Sequence, residues 1–128
     1  RDQPRSRGLG DVYKRQELLL EYKENSKSLW YFMLEFSSKS HKCTRLVKPI
    51  EVLVTNWDEK SDYSLILKSK NKNLVFKNYH IRFFLPYLFE TREECVEAYN
   101  AVVQDQKDKL QHDYEERLRY LNSKIEKL

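Results

Sequence analysis

The residues able to do chemistry in this sequence are few, and their spacing limits what they can do. His41 stands two residues before Cys43. A zinc site needs three or four ligands, and no further Cys or His lies at a suitable spacing. Asp58, Glu59 and Asp62 cluster within WDEKSD. That stretch lacks both the ligand spacing and the glycine of a calcium loop, so a solvated turn is expected. Cys95 falls in the first turn of a long helical pattern, where the helix dipole can lower a thiol pKa. Glu93, Glu94 and Glu97 oppose that effect, and its apolar face marks it as a core cysteine. Both glycines, Gly8 and Gly10, lie near the start of the chain, so no later stretch can form a glycine-rich phosphate loop. Neither GxSxG nor HExxH occurs. No catalytic residue, metal or cofactor is therefore expected, and the chain reads as a non-enzyme.

The lysines offer more. Lys68, Lys70, Lys72 and Lys77 surround one hairpin, with Phe76 and Tyr79 beside them and Trp57 nearby. From Leu29 to Phe84 there are ten Lys+Arg and five Asp+Glu; from Glu90 to Leu128 there are seven and ten. The strands are thus basic and the helix acidic. On a small barrel, lysines that track phosphates and rings that stack on bases would hold a single nucleic-acid strand. The contact set would be Lys68, Lys70, Lys72, Lys77 and Tyr79. The favoured reading is plainer: these lysines sit on a solvated hairpin and guard an edge strand, with the rings in the core.

The element that organises the chain runs from Thr91 to Leu128. Thr91-Arg92-Glu93-Glu94 fits a capping box, in which Thr91 accepts from the amide three residues on and Glu94 reaches back to the Thr91 amide. Neither Pro nor Gly follows. Val96, Tyr99, Val103, Leu110, Tyr114, Leu118, Leu121, Ile125 and Leu128 form a heptad-like stripe, with an extra four-residue step near Leu110–Leu118 that resembles a stutter. Cys95, Ala98 and Val102 widen the apolar face of the first half. A helix this long would measure about 55 Å, against about 30 Å for a small domain, so one end should overhang. The second half, Leu110, Tyr114, Leu118, Leu121, Ile125 and Leu128, has a narrow seam flanked by the pairs Asp105–Lys109, Asp113–Arg117 and Glu115–Arg119. Such a seam suits a coiled-coil partner, either a second copy or another helical protein. The alternative is that this half folds back on its own domain.

Upstream, Leu29–Phe36 (LWYFMLEF) is almost continuously apolar and reads as a strand buried on both faces. Cys43–Asn56 reads as two strand pieces parted by Lys48-Pro49, since Pro49 cannot donate to a ladder. Tyr63–Lys68 and Leu74–Lys77 read as strands of a hairpin, Tyr79–Phe84 as another strand, and Tyr87–Phe89 as a short extended link. Glu17–Lys23 fits a strand or the tail of a truncated element. Five or six short strands followed by one long C-terminal helix give an α+β fold. The sheet is either a small antiparallel one or an SH3-like or OB-like barrel.

Residues 1–16, RDQPRSRGLGDVYKRQ, closely resemble translated sequencing-adapter read-through. The resemblance implies a non-native, disordered leader and a native start that need not lie near Glu17. The leader holds five Lys+Arg and two Asp+Glu, so 19 and 18 remain and most of the net +4 disappears with it. Residues 17–90 then form a β-rich domain and 91–128 the long helix, one domain in all. Leu88-Phe89-Glu90-Thr91, Glu93-Glu94 and Tyr99-Asn100 resemble the LFET-x-EE-x-x-x-x-YN helix start of a class of small uncharacterised phage and bacterial proteins. In that class a barrel-like sheet leads into the helix, which speaks to fold and implies no catalytic residues. No apolar run reaches the roughly 18 residues of a membrane span. The two widely spaced cysteines point to a reducing, cytoplasmic setting.

Overall fold

The computed structural model describes residues 12–71 and 73–128. The elements in order are α1 (Val12–Glu24), β1 (Ser28–Phe36), β2 (Cys43–Asn56), β3 (Ile66–Ser69), β4 (Val75–Phe76), two 3₁₀ turns (Ile81–Phe83 and Leu85–Tyr87), β5 (Leu88–Phe89) and α2 (Arg92–Asn122). The five strands form one antiparallel sheet in the order β4-β3-β2-β1-β5. This is the α+β arrangement of an antiparallel sheet followed by a long C-terminal helix. The barrel alternative is not realised. The two edge strands, β4 and β5, have two residues each and lie at opposite ends of the sheet, while helices cover the faces that closure would have buried.

β1 is central and buried on both sides because its apolar residues run without a break. Leu29, Tyr31 and Met33 alternate onto one face, with Val52 and Val54 of β2 and Leu67 of β3. Leu19 and Tyr22 of α1, together with Ile81, Phe84 and Leu85 of the 3₁₀ turns, close that side. Phe32 and Leu34 face the other way and meet Phe89, Cys95 and Ala98 under α2. Phe32 is the hub there, with its ring 5.2 Å from Tyr87, 5.9 Å from Phe89 and 5.7 Å from Tyr99.

Five local expectations are corrected. β2 is one continuous strand of 14 residues rather than two pieces. The register steps from Tyr31↔Ile50 to Met33↔Val47, so Lys48 and Pro49 together oppose Phe32. That is a bulge, and it lets a residue without an N–H sit inside the strand. Tyr79–Phe84 is not a strand. Asn78 turns the backbone at φ 69°, and the His80 ring accepts from the Arg82 amide to start a 3₁₀ turn. Glu17–Lys23 is helical, with Leu19 and Tyr22 three residues apart on its buried side, so the strand-built body begins at Ser28. α1 also takes in Val12–Gln16, which were assigned to the leader; residues 1–11 lie outside the described residues.

The last correction concerns α2, which ends at Asn122, so Ile125 and Leu128 fall beyond it. Ser123 is the C-cap, its amide bonding back to Arg119 and its hydroxyl donating to the Tyr120 carbonyl. Asn and Ser are weak helix formers that compete with the backbone for such bonds. The start agrees with expectation. Thr91 is the N-cap, and its hydroxyl oxygen accepts from the Glu94 amide at 3.2 Å. Glu94 returns to the Thr91 hydroxyl, at 3.1 Å, rather than to the backbone amide.

Candidate functional site

α2 spans 31 residues, about 46 Å. Its first half rests on the sheet. Cys95 and Ala98 are fully buried there, with Tyr99, Val102 and Val103 packed around them. Burial pushes the Cys95 thiol up to about 12, and Arg92 only partly offsets this. A thiol held protonated in that way is a packing group and not a nucleophile. Those expected to widen the apolar face, Cys95 and Ala98, are the most deeply buried residues of the helix, whereas Val96 of the stripe is half-buried.

The second half leaves the body. From Lys107 to Leu128 every residue is exposed except Asp113, which is intermediate. Leu110, Tyr114, Leu118 and Leu121 are 51%, 59%, 42% and 60% exposed, values that place them in water and not under a folded-back chain. At about 100° per residue they line a stripe roughly a quarter-turn round the helix from Cys95 and Val102. Leu110 and Tyr114, with Lys107 and Gln111, border an open groove of about 390 Å³. Lys109 and Asp105 form the expected ion pair at 3.2 Å.

The two halves meet at an anchor. His41, in the β1–β2 loop, sends Nε2 to within 2.8 Å of an Asp113 carboxylate oxygen and Nδ1 to within 2.6 Å of Gln106 Nε2. A neutral ring that donates at Nε2 and accepts at Nδ1 satisfies both. His41 has φ 60°, a left-handed backbone that costs a non-glycine residue about 1–2 kcal/mol. Asp113 is thus drawn to His41. The sequence offers His41 only as a metal ligand beside Cys43; 72 positions separate it from Asp113, and no local pattern signals the pair. Among the described residues no group of three His, Cys, Asp or Glu side chains could hold a metal ion.

The basic hairpin is less coherent. Lys68, Lys70 and Lys77 are exposed, Lys70 lies 3.5 Å from Glu51, and Lys72 lies outside the described residues. The rings point elsewhere. Phe76 packs on Tyr31 at 4.9 Å, and Trp57 is buried, with no hydrogen-bond partner for its Nε1 among the described residues. Tyr79 is partly exposed, but one face is taken by the Arg45 guanidinium at 5.2 Å, and its ring meets Phe84 at 5.8 Å. On the same side of the sheet a shallow apolar cleft of about 440 Å³ runs past the bulge, bordered by Leu46, Pro49, Ile50, Leu74 and Phe76. No motif in the sequence announces it.

No described helix is long and apolar enough to cross a membrane. Comparison with protein-family models, curated proteins and solved structures gave no match.

Proposed function

We propose that this chain is a non-enzymatic interaction or assembly protein whose distal α2 seam binds another helix, either its own second copy or one from a partner protein. The observation that carries the reading is the contrast along one helix. Leu110, Tyr114, Leu118 and Leu121 keep helical spacing past the point where the body ends, and all four are exposed. A contiguous apolar stripe in water is stabilised by covering it, and a narrow stripe of this spacing fits a helix. The anchor at His41 supports the reading, because it fixes the direction in which the free half leaves the body. A reducing compartment such as the cytoplasm fits the two free cysteines. Phe76 and Trp57 are committed to the core, so no observation favours a stacked nucleic-acid strand over the helix reading.

Light scattering coupled to size exclusion on the full chain tests this. A discrete dimer or larger species is expected, and it should collapse to monomer in the Leu118→Lys, Leu121→Lys double variant. A wild-type monomer that elutes like the double variant would overturn the proposal.

A further inference from the structure

We infer that the occupant of the α2 seam is a second copy of this chain, laid antiparallel to the first. The inference rests on reading the seam as an association surface and adds its partner and direction.

The carrying observation is the order of charge along the exposed helix. Residues 110–116 contain Asp113, Glu115 and Glu116 and no Lys or Arg; residues 117–124 contain Arg117, Arg119 and Lys124 and no Asp or Glu. Within residues 110–124 the sign switches once, between Glu116 and Arg117; Lys107, Asp108 and Lys109 before that stretch, and Glu126 and Lys127 after it, are mixed. Two parallel copies in register would set acid beside acid and base beside base. Reversal sets each acidic half against a basic half, with Glu115 of one copy level with Arg117 of the other beside the stripe, while Glu116 and Arg119 lie on the far side of the helix and act only at longer range; the arrangement is its own complement about a twofold axis. The apolar positions permit this. With the axis beside Glu116, Tyr114 of one copy falls opposite Leu118 of the other, and Leu110 opposite Leu121. The stripe lies about a quarter-turn from the sheet-facing side, so a second helix can approach without displacing the body.

Two local explanations for the charge order do not suffice. The helix dipole acts within the last turn, so it accounts for Arg119 but not for a switch at Glu116. Nor are the acids committed to the bases that follow them. Asp113 engages His41, Glu115 accepts from Gln111 at 3.0 Å, and Glu116 lies 3.4 Å from His112, each turned towards the acidic half.

Cross-linking reads the direction. In a full-length Cys43→Ser background, Leu110→Cys and Leu121→Cys variants are oxidised singly and as an equal mixture, with mass measured in parallel. The expected result is a covalent dimer in the mixture and little in either variant alone. The Arg117→Glu, Arg119→Glu variant should dimerise about tenfold more weakly at low salt, and raising the salt should weaken the wild-type dimer about threefold or more. Covalent dimers from each variant alone, with the dimeric mass kept, would overturn the antiparallel arrangement and leave the seam reading intact. A dimer indifferent to both the charge reversal and salt would also overturn it. A monomeric mass without cross-links would overturn the inference and self-association together.

Discussion

The proximal and distal halves of α2 each carry an apolar stripe and belong to one unbroken helix, yet they live in different solvents. Residues 92–106 have the sheet as their partner, and residues 107–122, apart from Asp113 at the His41 anchor, have water. What distinguishes them is the presence of Phe32, Leu34 and Phe89 opposite Cys95 and Ala98, whereas Leu118 is exposed and in neither core cluster of the described residues. An apolar stripe is therefore ambiguous by itself. It stabilises the fold where the same chain supplies the other side, and it becomes an association surface where the chain does not.

Substitutions should separate the halves by the quantity they change. The largest effect on folding is expected under the proximal half. Phe32→Ala removes the ring that joins β1 to Tyr87, Phe89 and Tyr99, and should cost about 3–5 kcal/mol in urea unfolding.

Alkaline pH attacks the interior on both faces of the sheet, at Tyr22 under α1 and at Cys95 under α2. Burial, with the bond to Glu90 adding to it, pushes Tyr22 up to about 12, and burial raises Cys95 to about 12. Both hold their protons in the native chain after the unfolded chain has lost them. Their contribution is thus complete below about pH 9 and declines as pH rises towards 12. The slope approaches about 1.4 kcal/mol per pH unit for each group. Unfolding midpoints measured from pH 8 to pH 11 should fall accordingly, and Cys95→Ala should remove the thiol's share of the slope.

Thr91→Ala, which deletes the N-cap, should cost about 1 kcal/mol. At the junction, His41→Ala loses the ring but keeps the left-handed backbone, whereas His41→Gly loses the ring and relieves the backbone. The glycine variant should be the more stable of the two by about 1 kcal/mol. Equal stabilities would mean that the loop relaxes freely and does not hold the helix. The smallest effect on folding belongs to the distal half. Leu118→Lys with Leu121→Lys should change monomer unfolding by less than about 0.5 kcal/mol while abolishing association. A large loss of monomer stability instead would mean that the stripe is covered in solution, and the contrast between the halves would fail.

What the sequence discloses follows the range of the forces involved. Thr91 and Glu94 are three residues apart, so the cap is written locally, and the continuous apolar run of β1 makes burial on both faces legible. ELLLEYK is too short for its period to decide between strand and helix, and docking of Leu19 and Tyr22 settles it. YHIRFF alternates like a strand, but the turn at Asn78 and the His80 cap override it. Pro49 reads as a break because the residue that accommodates it, Phe32, lies on another strand. The seam positions within the helix were legible one by one. Their offset from the sheet-facing side, and the His41 anchor where the two halves meet, depend on contacts across the fold.

The strand order has a consequence for the chain as it is made. β2, β3 and β4 each pair with the strand just before them, so those joins are short-range. β5 instead closes on β1, with Trp30 opposite Phe89 and Tyr31 opposite Leu88. During synthesis from the N-terminus, one edge of β1 waits for Leu88 to emerge, and the Phe32 face waits longer still, for α2. Through that interval the nascent chain carries an open strand edge beside an uncovered aromatic surface, the combination that makes folding intermediates aggregate. A chain that stopped before Leu88 would leave both that edge of β1 and the Phe32 face uncovered.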